Sequence, residues 1–250
     1  MSGHSKWAQI KRQKGVADAR RGQLFSKLAR EIIVAARQGG GNPESNFRLR
    51  LAVQKARDSN MPLENIERAI KRGGGGAEAS SMVEMNLEGY APNGVAVIVE
   101  ALSDNRNRTI QDIRNLFSRS GGNLAESGSV AWLFETKGVI TVETEGVDAE
   151  ELALLAIDAG AEDVRMEKGY VEIYTLPQNL ESVRKAVEKK KLVVSAELSR
   201  VPKSTVVLGE KEAVQTLKFL DHLEEMEDVQ RVFANIDYSE AVLEKLRVHA

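Results

Sequence analysis

Lys6, Lys11, Arg12, Lys14, Arg20, Arg21, Lys27 and Arg30 put eight cations in the first thirty residues against one acid, Asp18, with His4 and Trp7 among them. Lysine and arginine at this density neutralise phosphates and release their counterions, the main source of sequence-independent nucleic-acid affinity. Trp7 could stack on an unpaired base and His4 could bond a phosphate. The plainer alternative is a solvated tail with Trp7 tucked against neighbouring helices and His4 simply exposed. A second anion-binding candidate is Asp104-Asn105-Arg106-Asn107-Arg108-Thr109, where Arg106 and Arg108 flank the free amides of a helix start. There the alternative is a capping turn whose arginines bridge to acidic residues of the body.

Other chemistries find little support. The chain has no cysteine, which removes thiol nucleophiles, Cys zinc sites and disulfides and suits a reducing compartment. His4, His222 and His249 are too scattered for a standard metal spacing. No GxxxxGK[ST] or GxGxxG occurs, and the acidic run Glu224, Glu225, Glu227, Asp228 reads as a solvated helix end. Lys168-Gly169-Tyr170 resembles the aromatic signature of RNA-recognition domains, but Val171 and Glu172 break it, and sheet packing is the simpler account. We expect no catalytic residues, no metal, no cofactor and no small-molecule substrate. Without an apolar leader or a run long enough for a membrane span, the expected compartment is the cytoplasm.

Charge divides the chain. Of 35 Lys and Arg and 37 Asp and Glu, residues 1–76 hold 16 and 6, a net of +10, which leaves the remainder at -12. A basic module attracts polyanions, and an acidic body discourages indiscriminate binding along the rest of the surface.

The elements that must position these groups follow from periodicity. Leu24, Phe25, Leu28, Ile32 and Ala35 form one face of a helix over about residues 23–38, with Lys27, Arg30 and Arg37 on the other. Leu49, Ala52, Val53 and Ala56 mark a second helix over about 44–59. A third starts after Asn60, read as its cap, and Pro62, and ends at Arg72 and the glycines. Strands are expected at 82–89 and 95–102, a helix at 109–118 with Thr109 and Asp112 in capping-box spacing, and a strand at 129–135. Residues 138–202 read as β-α-β-β-α-β, the ferredoxin-like order. The segment 204–238 is too small to stand alone and is expected to return to the domain begun at Met82. The predicted fold is therefore multidomain α+β: a basic tail plus three-helix bundle (1–76), a discontinuous α+β domain (82–136 and 204–238) and an inserted ferredoxin-like domain (137–203).

The stretches GHSKWAQIK, DARRGQLFSKLAREI, NFRLRLAVQKARDSNMPLENIERAIKRG, EGYAPNGVAVIVEALSDNRNRT and SGGNLAESGSVAWLF resemble the YebC family of bacterial and organellar proteins, from residue 3 to about 136 and less distinctly beyond. Phe47 departs from the pattern, which has Pro at that place. The resemblance implies the same three-part architecture and a regulatory protein that is not an enzyme. Its implied function is divided between a DNA-binding transcriptional regulator acting at promoters and a ribosome-associated translational activator. The latter would contact ribosomal RNA or tRNA and relieve stalling at proline-rich sequences, with Gly3 to Arg21 approaching the RNA.

Overall fold

The computed structural model describes residues 18–75, 82–146, 148–167, 169–190, 193–238 and 242. Among the described residues three helices come first: α1 (Asp18–Gly39), α2 (Phe47–Asp58) and α3 (Leu63–Gly74). Their shared core holds Leu28, Ile32 and Ala35 of α1, Leu49, Ala52, Val53 and Ala56 of α2, and Ile66 and Ala69 of α3, the faces that the periodicity marks on the first two. Ile33, Val34 and Ala36 are buried as well, so the second half of α1 is enclosed on more than one side.

The helix ends differ from expectation. The second helix starts at Phe47 because Asn46, itself buried, caps it: Oδ1 accepts the amide of Leu49 at 3.0 Å while Nδ2 donates to the carbonyls of Ala35 and Gly40, both at 2.8 Å. One side chain thus opens α2 and closes α1. Asn60 does not cap α3. It sits at φ 57° as the left-handed residue that ends α2, with the amide of Met61 donating to Ala56 O (2.9 Å) and its own to Arg57 O (2.8 Å). That pair of bonds is the Schellman closure, which favours Asn after Gly. At the C-terminal end of α3, a Cβ on Gly73 would lie 2.5 Å from Ile33 O, so glycine lets α1 and α3 approach there.

Four strands follow in an antiparallel sheet: β1 (Val83–Tyr90), β2 (Ala96–Ser103), β3 (Asn123–Ala125) and β9 (Val229–Ala234), in the order β3-β1-β2-β9. Helices α4 (Arg106–Arg119) and α7 (Glu210–Glu225) cover one face. Val97 and Val99 of β2, Ile113 and Phe117 of α4, and Leu217, Phe219 and Leu220 of α7 lie in its core, where Phe117 and Phe219 meet edge to face at 4.8 Å. β9 pairs with β2 across about 130 residues of chain, from Val97↔Ala234 to Ala101↔Val229. A two-stranded parallel pair, β8 (Val206–Val207) and β10 (Ile236–Asp237), lies beside it in sequence. α4 begins three residues before the predicted start, capped by Asn105, whose Oδ1 accepts the amide of Arg108 at 3.1 Å, so Thr109 and Asp112 form no capping box.

Residues 129–133 are not a strand. Ala131–Leu133 is a 3₁₀ turn, and the strand starts only at Phe134. The cause is Glu88 of β1, 6% exposed, whose carboxylate accepts the amides of Gly128 (2.7 Å), Val130 (2.8 Å) and Ala131 (2.8 Å). Amides bound to a carboxylate are withdrawn from any β-ladder.

Phe134–Lys203 forms a separate compact unit. It runs β4 (Phe134–Glu143), α5 (Ala149–Asp158), β5 (Ala161–Glu167), β6 (Tyr170–Thr175), α6 (Leu180–Glu188) and β7 (Val193–Pro202), with the sheet order β5-β6-β4-β7, all antiparallel. Ile140, Val142, Leu152, Val171, Ile173, Leu180 and Val183 are buried. Glu172, also buried, accepts the hydroxyl of Tyr174 at 2.5 Å, and Arg165 lies over the Tyr174 ring at 5.0 Å. Burial and the Glu172 charge push the Tyr174 phenol well above its usual range.

Candidate nucleic-acid interface

His4, Lys6, Trp7, Lys11, Arg12 and Lys14 lie outside the described residues. Arg20 and Arg21 fall in the first turn of α1, which begins at Asp18, so the polypeptide leading out of the cationic tail enters the bundle as helix.

Lys27 and Arg30, one turn apart on α1, meet the end of α7 and the turn after it. The Lys27 ammonium donates to Glu224 O, and Arg30 donates to Glu227 O at 2.7 Å while pairing with the carboxylates of Glu227 and Asp228, the latter at 3.2 Å. The last carbonyls of a helix carry its negative dipole end and have no partner within it, so cations are favoured there.

Arg108, in the first turn of α4, reaches the same carboxylate. Its Nη2 lies 3.0 Å from Asp228 Oδ2 and 3.2 Å from Asp104 Oδ1. Asp228 also accepts the hydroxyls of Thr109 (2.7 Å) and Ser103 (3.1 Å). Burial pushes this carboxyl up, but the bonds from Thr109, Arg108 and Ser103 and the Arg108 charge together hold it below the usual aspartate value. Hydrogen bonding to Asp228 and its charge raise Arg108 in turn. The acidic run that reads as a solvated helix end is therefore an anchor for three cations from two other helices. Arg106, the first residue of α4, is exposed.

Further contacts tie the bundle to β1 and to the residue before it, none of them indicated by the sequence. Arg37 donates to Met82 O at 2.9 Å, and Arg48 pairs with Glu84. Arg50 lies over the Phe47 ring at 5.6 Å. Arg57, Arg68, Lys71 and Arg72 are carried on α2 and α3, with Arg68 bonded to Glu64 at 2.7 Å. Net charge and the position of residues such as Arg37 on the polar helix faces are the sequence signals that point to this set.

A cleft of about 380 Å³ lies between α1, α2 and the sheet. Its charges are matched internally: Arg48 with Glu84, Arg231 with Glu100 at 2.9 Å, and Lys55 with Glu31 at 3.6 Å. Among the described residues no group of His, Asp or Glu is arranged to hold a metal ion, and no helix is long and apolar enough to cross a membrane.

These features define a mixed α+β protein with a basic helical module at one end of its chain. Comparison with known proteins supplies the family. Residues 5–76 match the TACO1/YebC protein N-terminal domain, and residues 82–236 match the TACO1/YebC second and third domain. A probable transcriptional regulatory protein of Dehalococcoides mccartyi (strain CBDB1) is 59% identical over 251 residues, spanning all of both chains. One from Thermotoga maritima is 52% identical over 247 residues, or 98% of each chain. A solved structure, a conserved hypothetical protein from Aquifex aeolicus, superposes with a TM-score of 0.82 at 50% identity, covering 89% of this chain and 92% of that one. The chain belongs to the TACO1/YebC family.

Proposed function

We propose that this chain is a nucleic-acid-binding regulatory protein, a DNA-binding regulator of transcription whose tail and bundle engage backbone phosphates. The observation that carries this reading is the charge asymmetry: +10 over residues 1–76 against -12 over the rest. The basic part coincides with the stretch that matches the family's N-terminal domain. The names of the relatives point the same way. In this reading residues 1–76 are tail and bundle, 82–136 with 204–238 are a discontinuous α+β domain, and 137–203 are a ferredoxin-like insertion. The protein works in the cytoplasm without catalysis, cofactor or membrane.

His4, Lys6, Trp7, Lys11, Arg12, Lys14, Arg20 and Arg21 make the primary contact. Lys27, Arg30 and Arg108 join it only by exchanging their carboxylate and carbonyl partners for phosphate, and Arg106 is exposed to do so directly.

A second reading, a ribosome-associated translation factor that contacts ribosomal RNA or tRNA, is favoured by one feature of α3. This helix follows α2 after a four-residue turn, as the base-reading helix does in helix-turn-helix proteins, yet its first turns expose Glu64 and Glu67. Carboxylates there would face the phosphates that line a major groove, so α3 is a poor reader of base edges, and a partner recognised without a major-groove helix, as RNA is, fits this helix better. Ultraviolet crosslinking of the protein in cell lysate separates the two. Discrete promoter fragments without ribosome co-sedimentation support the transcriptional reading; dominant ribosomal RNA peaks would replace it with the second.

A further inference from the structure

Helix α4 carries four arginines against one acid, Asp112, a net of +3 within the part of the chain that sums to -12. Arg108 is held by Asp228 and Asp104, but Arg106, Arg114 and Arg119 are exposed and pair with no carboxylate among the described residues. The other described arginines beyond residue 76 are all engaged: Arg165 with Asp163, Arg184 with Glu181, Arg200 with Thr136 and Arg231 with Glu100. Among the described residues of this acidic part, unpaired arginine is thus confined to α4.

A stripe of hydrogen-bonding side chains runs along the same helix. At about 100° per residue, Asn107, Gln111, Arg114 and Ser118 fall within about 60° of one another, opposite the buried Thr109, Ile113 and Phe117, and all four are exposed. Asp112 lies off the stripe. None of the four side chains is bonded to another described residue. A face that meets only solvent is commonly closed by ion pairs one turn apart, as Arg184 and Glu188 close α6. Asn and Ser are also weaker helix formers than the Ala, Glu or Lys that suit such a face.

We infer that this stripe docks in the major groove of duplex DNA, with Asn107, Gln111 and Arg114 meeting base edges and Arg106 and Arg119 holding the flanking phosphates. The inference rests on the DNA reading above and supplies the base-reading element that α3 is not. Arginine bonds guanine O6 and N7 bidentately, and asparagine and glutamine bond adenine N6 and N7, so the residue types of the stripe are those that read this groove. A helix about 10–12 Å across matches a groove about 12 Å wide. Ile113 and Phe117 are fully buried and Asn105 caps the first turn, so the stripe is presented on a rigid element. It also adjoins the basic bundle, because Arg30 of α1 and Arg108 of α4 share Asp228.

The full-length chain is used to select duplexes from a pool randomised over about 20 base pairs, two turns of DNA. Selection is expected to enrich a motif that contains guanine, and methylation of its N7, which faces the major groove, should block binding. Arg114→Lys keeps the charge and loses the bidentate fork. It should weaken binding to the selected duplex by roughly 5- to 150-fold, the range that 1–3 kcal/mol for a bidentate contact implies. Binding to an RNA duplex of the same sequence should stay unchanged, because the major groove of A-form RNA is too narrow for side chains to read. The Arg114 side chain is exposed and unbonded, so the variant should melt as the wild type does. Arg114→Lys at wild-type affinity, an equal loss on the RNA duplex, or DNA binding without an enriched motif would each overturn the docking of α4 and leave the phosphate contacts of the tail standing. No binding of the wild-type chain to any DNA duplex would overturn the DNA reading and the docking together.

Discussion

Arg30 of the bundle donates to Oδ1 of Asp228 at 3.2 Å, across 198 residues of sequence. Oδ2 of the same carboxylate receives Arg108 at 3.0 Å, so two arginines from different helices share one aspartate at the turn before β9. The side chain of Asp228 is 12% exposed, and screening of its ion pairs is correspondingly limited.

Acidification should expose the weight of this carboxylate. The folded-state pKa of Asp228 lies below its ordinary value of 3.8, so its contribution is fully present above that pH and is lost as pH falls through the lower, folded value. Asp228→Asn should therefore lower the melting temperature at neutral pH, and the gap from wild type should narrow below about pH 3.8. Melting curves from neutral pH down through that value check this; a gap that widens in acid contradicts the assignment.

Glu88→Gln should destabilise the 126–133 turn. The amide has one acceptor oxygen where the carboxylate uses two for three N–H donors, which leaves at least one buried donor unmatched. The expected cost is about 2–4 kcal/mol, measured by urea unfolding, with a red shift of Trp132 emission in the Trp7→Phe background.

Gly73→Ala and Gly74→Ala make a paired test of the bundle. A Cβ at Gly73 would lie 2.5 Å from Ile33 O and 2.7 Å from Ala36 Cβ, whereas one at Gly74 meets nothing within 4 Å. The overpacked variant should lose about 1–3 kcal/mol. Its neighbour should stay within about 0.5 kcal/mol of wild type. Urea midpoints followed by circular dichroism distinguish them.

The sequence shows local periodicity well and distant partners poorly. The spacing of Leu49, Ala52, Val53 and Ala56 names the whole buried face of α2, because a 3.6-residue period records which side of a helix meets the core. The same spacing misses Ile33, Val34 and Ala36, which are buried because α1 is enclosed on several sides. Residues 129–133 have the apolar and aromatic composition of a strand, and only the carboxylate of Glu88, some forty residues earlier, makes them a turn. The exposure of Trp132 was illegible for the same reason. Asn60 suits a helix start and a helix stop equally well by composition, and its left-handed φ decides for the stop. Among the candidate site residues, the charge of Lys27, Arg30 and Arg108 was legible, as was the alternative of a capping turn with arginines bridged to acids, which Asn105, Asp104 and Asp228 fulfil at Arg108; that Asp228 is the shared partner of Arg30 and Arg108 was not, since a pairing across more than a hundred residues leaves no local pattern.

The central claim is that the basic N-terminal module binds nucleic acid through its phosphates, and the salt dependence of binding tests it most directly. Affinity for a duplex of about 30 base pairs and for a single strand of equal length, measured from about 50 to 300 mM KCl, should fall linearly on a log–log plot. Replacing Lys11, Arg12 and Lys14 together by Ala should weaken binding and flatten the slope by roughly 0.7 to 0.9 for each phosphate that is no longer neutralised. An unchanged slope would contradict the account, because the tail would then not touch phosphate.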